Sequence, residues 1–145
     1  METTTQKDLA KRYFERLNAR DIDGAVSLAS EDLVNHAAIP EAQGQDGLRR
    51  IMSKIVKAFP DAEWTCQDVL SEGDRVVCRV GMRGTNTGPL EFLRVPLPAT
   101  GRKVDSEAIH IFRVAGGKIA EHWAGRDDIA MMRQLGHLPF VGAQP

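Results

Sequence analysis

Neither sign of charge dominates this 145-residue chain: 19 Lys and Arg stand against 20 Asp and Glu, a net charge of −1. Nucleic acid is recognised through a basic stripe or patch, and none is available here, so a nucleic-acid partner is not expected. No apolar run approaches the roughly 20 residues that cross a bilayer, which excludes a helical membrane span. The opening METTTQKDLAKR is polar and lacks the hydrophobic stretch of a secretory signal, so a cytoplasmic location is expected. Cysteine is scarce: only Cys66 and Cys78 are present, both in strand-like stretches and without metal-ligand spacing. Reduced, buried thiols are expected, with a strand-to-strand disulfide as the alternative. Repeats and low-complexity tracts are also missing. What the chain does have is 42% hydrophobic residues, too many for a disordered polymer. Its length suits one domain, residues 1–145, with a core of its own.

Helical periodicity fills the first sixty residues. Thr5 with Asp8 reads as a capping box, followed by the apolar stripe Leu9, Tyr13, Phe14, Leu17. Ile22, Ala25, Val26 and Ala29 predict a short second helix, and LVNHA, residues 33–37, a short extended segment. Leu48, Ile51, Met52, Ile55, Val56 and Phe59 share one face of a third helix that stops before Pro60. The pattern then turns to strands. AEWTCQDVLSEG and RVVCRVGMRGT flank a turn at Glu72-Gly73-Asp74, and VDSEAIHIFRV and KIAEHWAGR flank Gly116-Gly117 as a hairpin. Between these pairs, residues 86–103 form a loop whose Leu90, Phe92, Leu93, Val95 and Leu97 are unusually apolar. It reads either as a segment tucked on the core or as a flap hinged at Gly88 and Gly101. A last helix from about Asp128 to Leu135 ends at Gly136.

Helices first and strands afterwards imply an α+β layer arrangement. Three helices against a curved antiparallel sheet, with a short C-terminal helix, would enclose a cup lined by apolar side chains, a natural small-molecule pocket.

Five pieces of sequence resemble one family in order along the chain: VNHA (34–37), RGTNTG (83–88), LPATGRKV (97–104), EAIHIFRVAGGKIAEHW (107–123) and MMRQLG (131–136). Together they resemble the SnoaL-like polyketide cyclases, or ester cyclases, which have the NTF2-like cone fold. The resemblance implies an intramolecular aldol condensation that closes a polyketide ring with no cofactor. A base removes a proton beside a carbonyl, and an acid protonates the oxygen under attack. Asn35, His110 and His122 match pocket positions of that family. Two positions depart from it: Ala124 stands where the ring-closing members carry an acid–base aspartate, and Ala108 where they carry a glutamine.

Strand alternation puts His110 on one face with Ala108 and Phe112, and His122 with Ala120 and Ala124. Small residues beside each imidazole leave room for a ligand, so His110 and His122 are the expected acid–base pair; a core histidine satisfied by a neighbour is the plainer alternative. Asn35 is expected to donate a hydrogen bond to substrate, and His36 either joins it at the cup mouth or faces water. Phe92 of the apolar loop and Arg126 complete the expected substrate contacts, with Ala108, Phe112 and Ala124. Asp127 is a reserve acid or the cap of the last helix. The histidine spacings are those of no metal motif, so no metal is expected. Glu107, Glu121 and Trp123 have the opposite parity. Trp123 with Ile109 and Ile111 would form an apolar outer patch, suiting a homodimer through the sheet. The expected ligand is a small apolar carbonyl compound. A cofactor-free hydrolase or hydroxylase, and a binding module without catalysis, are the alternatives.

Overall fold

The computed structural model describes residues 5–138. Helix α1 (Gln6–Asn18) starts where the Thr5 side chain accepts a hydrogen bond from the Asp8 amide at 3.1 Å, and its stripe of Leu9, Tyr13, Phe14 and Leu17 is buried. Helix α2 (Ile22–Val26) is capped by Asp21, which accepts from the Gly24 amide at 2.9 Å. It is shorter than the periodicity predicts. Ala29 instead opens strand β1 (Ala29–Asn35), where it is buried in an extended backbone. Helix α3 (Gly44–Ala58) ends at Phe59, just before Pro60.

Strands β2 (Glu63–Glu72) and β3 (Arg75–Thr85) form the first hairpin, and β4 (Lys103–Ala115) and β5 (Lys118–Arg126) the second. The second hairpin turns through Gly116 and Gly117 at φ 59° and 74°, the left-handed pair that a two-residue turn between twisted strands requires. Helix α4 (Asp128–Leu135) closes at Gly136, φ 85°. The sheet order is β1-β5-β4-β3-β2. It is antiparallel from β2 to β5, as expected, while β1 joins the edge parallel to β5. That parallel edge sets Asn35 beside His122.

Helix α1 packs on β2 and α3 on β1, near opposite edges of the curved sheet. Their apolar faces meet the inward row of Val76, Cys78, Val80 and Phe112. Burying such side chains stabilises a fold by about 1.5–3 kcal/mol each. The loop after β3 is pinned rather than free. Buried Asn86 donates to the Gly88 carbonyl at 2.7 Å and accepts from the Thr100 amide at 3.0 Å, and Leu90 pairs with Leu97. Gly88 is no hinge: a Cβ there would lie 2.1 Å from the Lys57 carbonyl, so close approach to α3 demands glycine. Of the two readings for this segment, tucked on the core describes it at Leu90, which is fully buried. No described helix is long and apolar enough to cross a membrane.

Candidate functional site

Between α1, α3 and the inner sheet face lies a cavity with an empty volume of about 980 Å³, the solvent at its open mouth included. Its walls are mostly apolar, supplied by Phe14, Leu48, Ile51, Met52, Trp64 and Met82 among others. Asn35, Phe92, Ala108, His110, His122, Arg126 and Asp127 all line it. These seven sequence candidates thus converge on one place.

Three others do not reach it. His36 sits on the outer side, stacked on Trp123 with ring centres 4.8 Å apart and bonded to Glu121 at 2.8 Å. One residue beyond Asn35 the alternation of β1 turns it away from the cup. Phe112 is core rather than lining: it lies under the histidines, 4.9 Å from the His122 ring and 6.0 Å from His110. Ala124 faces inward between His122 and Arg126 along β5, but its methyl group stops short of the cavity wall.

The polar part of the site is a hydrogen-bonded chain. His110 Nδ1 lies 2.9 Å from His122 Nε2, and His122 Nδ1 lies 3.0 Å from Asn35 Oδ1. Its direction can be derived. The Ala37 amide can only donate, and it lies 3.1 Å from Asn35 Oδ1, so that atom is the carbonyl oxygen. His122 must then carry its proton on Nδ1 and accept at Nε2. His110 must donate from Nδ1, which leaves its Nε2 with a bare lone pair. Among the described residues that lone pair has no partner. Gln43 steadies the chain by bonding both the amide and the carbonyl of Asn35, at 2.7 and 3.0 Å.

Both imidazoles are neutral at pH 7. Burial pushes His110 down to about 4, with help from the Arg126 charge. Burial pushes His122 down to about 3, aided by His110, Arg126 and His36. The two rings lie nearly parallel with their centres 5.1 Å apart, meeting edge to edge through their hydrogen bond, and Phe14 is edge-on to His110 at 5.2 Å.

Tyr13 is a site residue that the sequence reading assigns to the core stripe alone. It lines the cavity, and its hydroxyl has no partner among the described residues. Burial raises it well above the usual phenol range, so it stays a neutral donor. The signal was its polar tip: the one tyrosine of the chain stands in an otherwise apolar stripe. Asn35 also lines the cavity, and its side-chain NH₂, a donor, has no partner among the described residues. Asp127 caps α4, accepting from the Ala130 amide at 3.0 Å. Among the described residues no group of three or more His, Cys, Asp or Glu is arranged to hold a metal ion.

A curved, unclosed five-strand sheet with helices packed on its inner face, holding imidazoles in an apolar hollow, defines an NTF2-like α+β protein. The family profile of the SnoaL-like polyketide cyclases matches residues 7–135, and the chain belongs to that family. It is 30% identical over 138 residues to the aklanonic acid methyl ester cyclase DnrD of Streptomyces peucetius, covering 92% of each chain. Among solved structures it resembles TsrD of Streptomyces laurentii, with a TM-score of 0.83, 25% identity and coverage of 95% and 99%. It also resembles AclR of Streptomyces galilaeus, a candidate hydroxylase, with a TM-score of 0.77, 28% identity and coverage of 92% and 96%.

Proposed function

We propose that the cavity takes up an apolar polyketide or ester-ketone and closes a ring in it by a cofactor-independent aldol-type reaction. The observation that carries this reading is the direction of the Asn35–His122–His110 chain, which ends on a bare Nε2 in an apolar hollow. His110 Nε2 accepts a proton from a carbon beside a carbonyl. The enolate carbon attacks a second carbonyl, and the new alkoxide takes the proton back from His110. Atoms are conserved, so the product is an isomer of the substrate.

His122 is a positioning residue that holds the His110 ring and its tautomer. Tyr13 and the Asn35 NH₂ are donors for the oxygen on which charge develops. A base as weak as this histidine suits a proton flanked by two electron-withdrawing groups, which a polyketone supplies. Asp127 acts as a helix cap in this reading, not as the acid. The protein acts in the cytoplasm, in keeping with the unpaired thiols of Cys66 and Cys78, and as a homodimer through the outer sheet face.

The test is to incubate the protein with polyketone esters and to follow product by mass spectrometry. Turnover by the wild type, with His110→Ala binding substrate but converting it roughly 10²–10⁴-fold more slowly, is expected. Binding without turnover by the wild type supports a binding module instead. The likeness to AclR favours, as a second reading, a hydroxylase. Mass gain from ¹⁸O₂ in the product supports that reading and opposes ring closure.

A further inference from the structure

Gln43 stands at the N-cap position of α3, yet its side chain makes no capping bond to that helix. It turns the other way, towards β1. Its Oε1 accepts from the Asn35 amide at 2.7 Å, and its Nε2 donates to the Asn35 carbonyl at 3.0 Å and to the Ile39 carbonyl at 3.3 Å. β1 is an edge strand of the sheet, and Asn35 is its last residue. One residue on, the His36 amide donates to the His122 carbonyl of β5 at 2.8 Å. The backbone groups of Asn35 therefore face the open edge, where no further strand meets them. Asn35 is only 5% exposed, so both groups need partners. The Gln43 amide supplies one acceptor and one donor, as a neighbouring strand would. The start of α3 is itself seated on β1. Gly44 has φ 69°, and a Cβ there would lie 2.7 Å from the Glu31 carbonyl oxygen. Gln43 is thus held at a set distance from Asn35, outside the cavity wall.

We propose that Gln43 is a positioning residue for the proton transfer: it fixes the end of β1 so that Asn35 Oδ1 stays on His122 Nδ1, and through that bond it keeps His110 Nε2 bare. This rests on the reading of His110 as the base. Water entering at the open edge could satisfy the Asn35 amide and carbonyl without fixing where they sit, so losing Gln43 costs aim more than fold. Once Asn35 Oδ1 leaves His122, no other described group sets which nitrogen of that ring carries the proton. The alternative tautomer donates from His122 Nε2 to His110 Nδ1. The His110 proton then sits on its own Nε2, and the ring cannot accept one from substrate there.

Gln43→Met keeps the length of the side chain and removes its hydrogen bonds. At pH 7, long-range ¹H–¹⁵N spectra are expected to show one tautomer in the wild type, with both rings protonated on Nδ1. In Gln43→Met a second form should join it, protonated on Nε2 of both rings. On a polyketone ester kcat is expected to fall roughly tenfold, as when about nine-tenths of the molecules hold the wrong tautomer, with KM within about twofold. Wild-type tautomers in Gln43→Met, or a loss carried by KM alone, overturns the inference and leaves the ring-closure reading intact. Should the wild type convert no polyketone ester, the ring-closure reading fails and the tautomers alone decide the role of Gln43. Should Gln43→Met fail to fold, Gln43→Glu takes its place, since at pH 7 it keeps the acceptor for the Asn35 amide and loses the donor to the carbonyl. The second tautomer is again expected, and its absence overturns the inference.

Discussion

A single backbone amide orients the Asn35 side chain and, through it, the two imidazoles. Because Ala37 N–H points at Asn35 Oδ1, the amide cannot be flipped without setting one N–H against another. Asn35→Leu is therefore expected to free both imidazoles to change tautomer and to remove one donor to the developing oxyanion, with kcat falling roughly tenfold or more. An unchanged kcat on a polyketone ester would show that the chain does not set the proton. Tyr13→Phe removes one donor to the developing oxyanion and should cost about 10–1000-fold in kcat, with the thermal midpoint held, since the hydroxyl has no protein partner to lose. At this scale strand alternation was legible in the sequence: His110, His122 and Arg126 share the inward face as parity requires. His36 was not, because whether the chain keeps alternating past Asn35 depends on where β1 ends. Tyr13 was hidden for a related reason, since a helix stripe tells which face is covered but not that a gap lies in front of it.

At the scale of the element, Asp127 caps α4, and the proposed function gives it no further role. Its carboxylate accepts from the Ala130 amide at 3.0 Å, and the next residue begins the helix. Asp127→Asn keeps an oxygen acceptor, so turnover should stay within a few-fold of wild type. Asp127→Ala should lower stability by about 1 kcal/mol in urea unfolding. A loss of turnover of about 10²-fold in Asp127→Asn would make it a catalytic acid. The helices and hairpins could be read from periodicity, caps and the Gly116-Gly117 turn. The parallel pairing of β1 with β5 could not, because a seven-residue strand carries no mark of its partner. That pairing brings Asn35 to His122 across 87 residues of chain, so the relay existed in the sequence only as three separate residues.

For the whole molecule, two buried neutral imidazoles link stability to pH. Their folded values, about 4 and about 3, lie below the roughly 6.5 of an exposed histidine. The unfolded chain therefore binds protons first, and stability rises with pH across that gap. The contribution is complete above pH 6.5 and falls as pH drops towards 4, by about 1.4 kcal/mol per pH unit for each ring. Carboxylates barely titrate between 6.5 and 5.5, so the urea midpoint should already decline there, and the decline should be absent in a His110→Phe/His122→Leu double variant. The proposed dimer is also a property of the whole. Val34 and Ile109 are exposed on the sheet's outer side, beside Trp123 with its stacked His36 and the Arg75 guanidinium 4.7 Å above its ring. Ile109→Lys is expected to convert a dimer to a monomer in sedimentation velocity; a wild type that sediments as a monomer rules the dimer out.

The central claim is that His110 presents a bare Nε2 to the cavity because Asn35 and His122 orient it. Long-range ¹H–¹⁵N spectra of the histidine rings measure this directly. Both rings are predicted to be neutral, protonated on Nδ1 at pH 7, and to stay so as the pH falls to about 4. A proton on His110 Nε2, or an imidazolium forming near pH 6.5, would contradict the account.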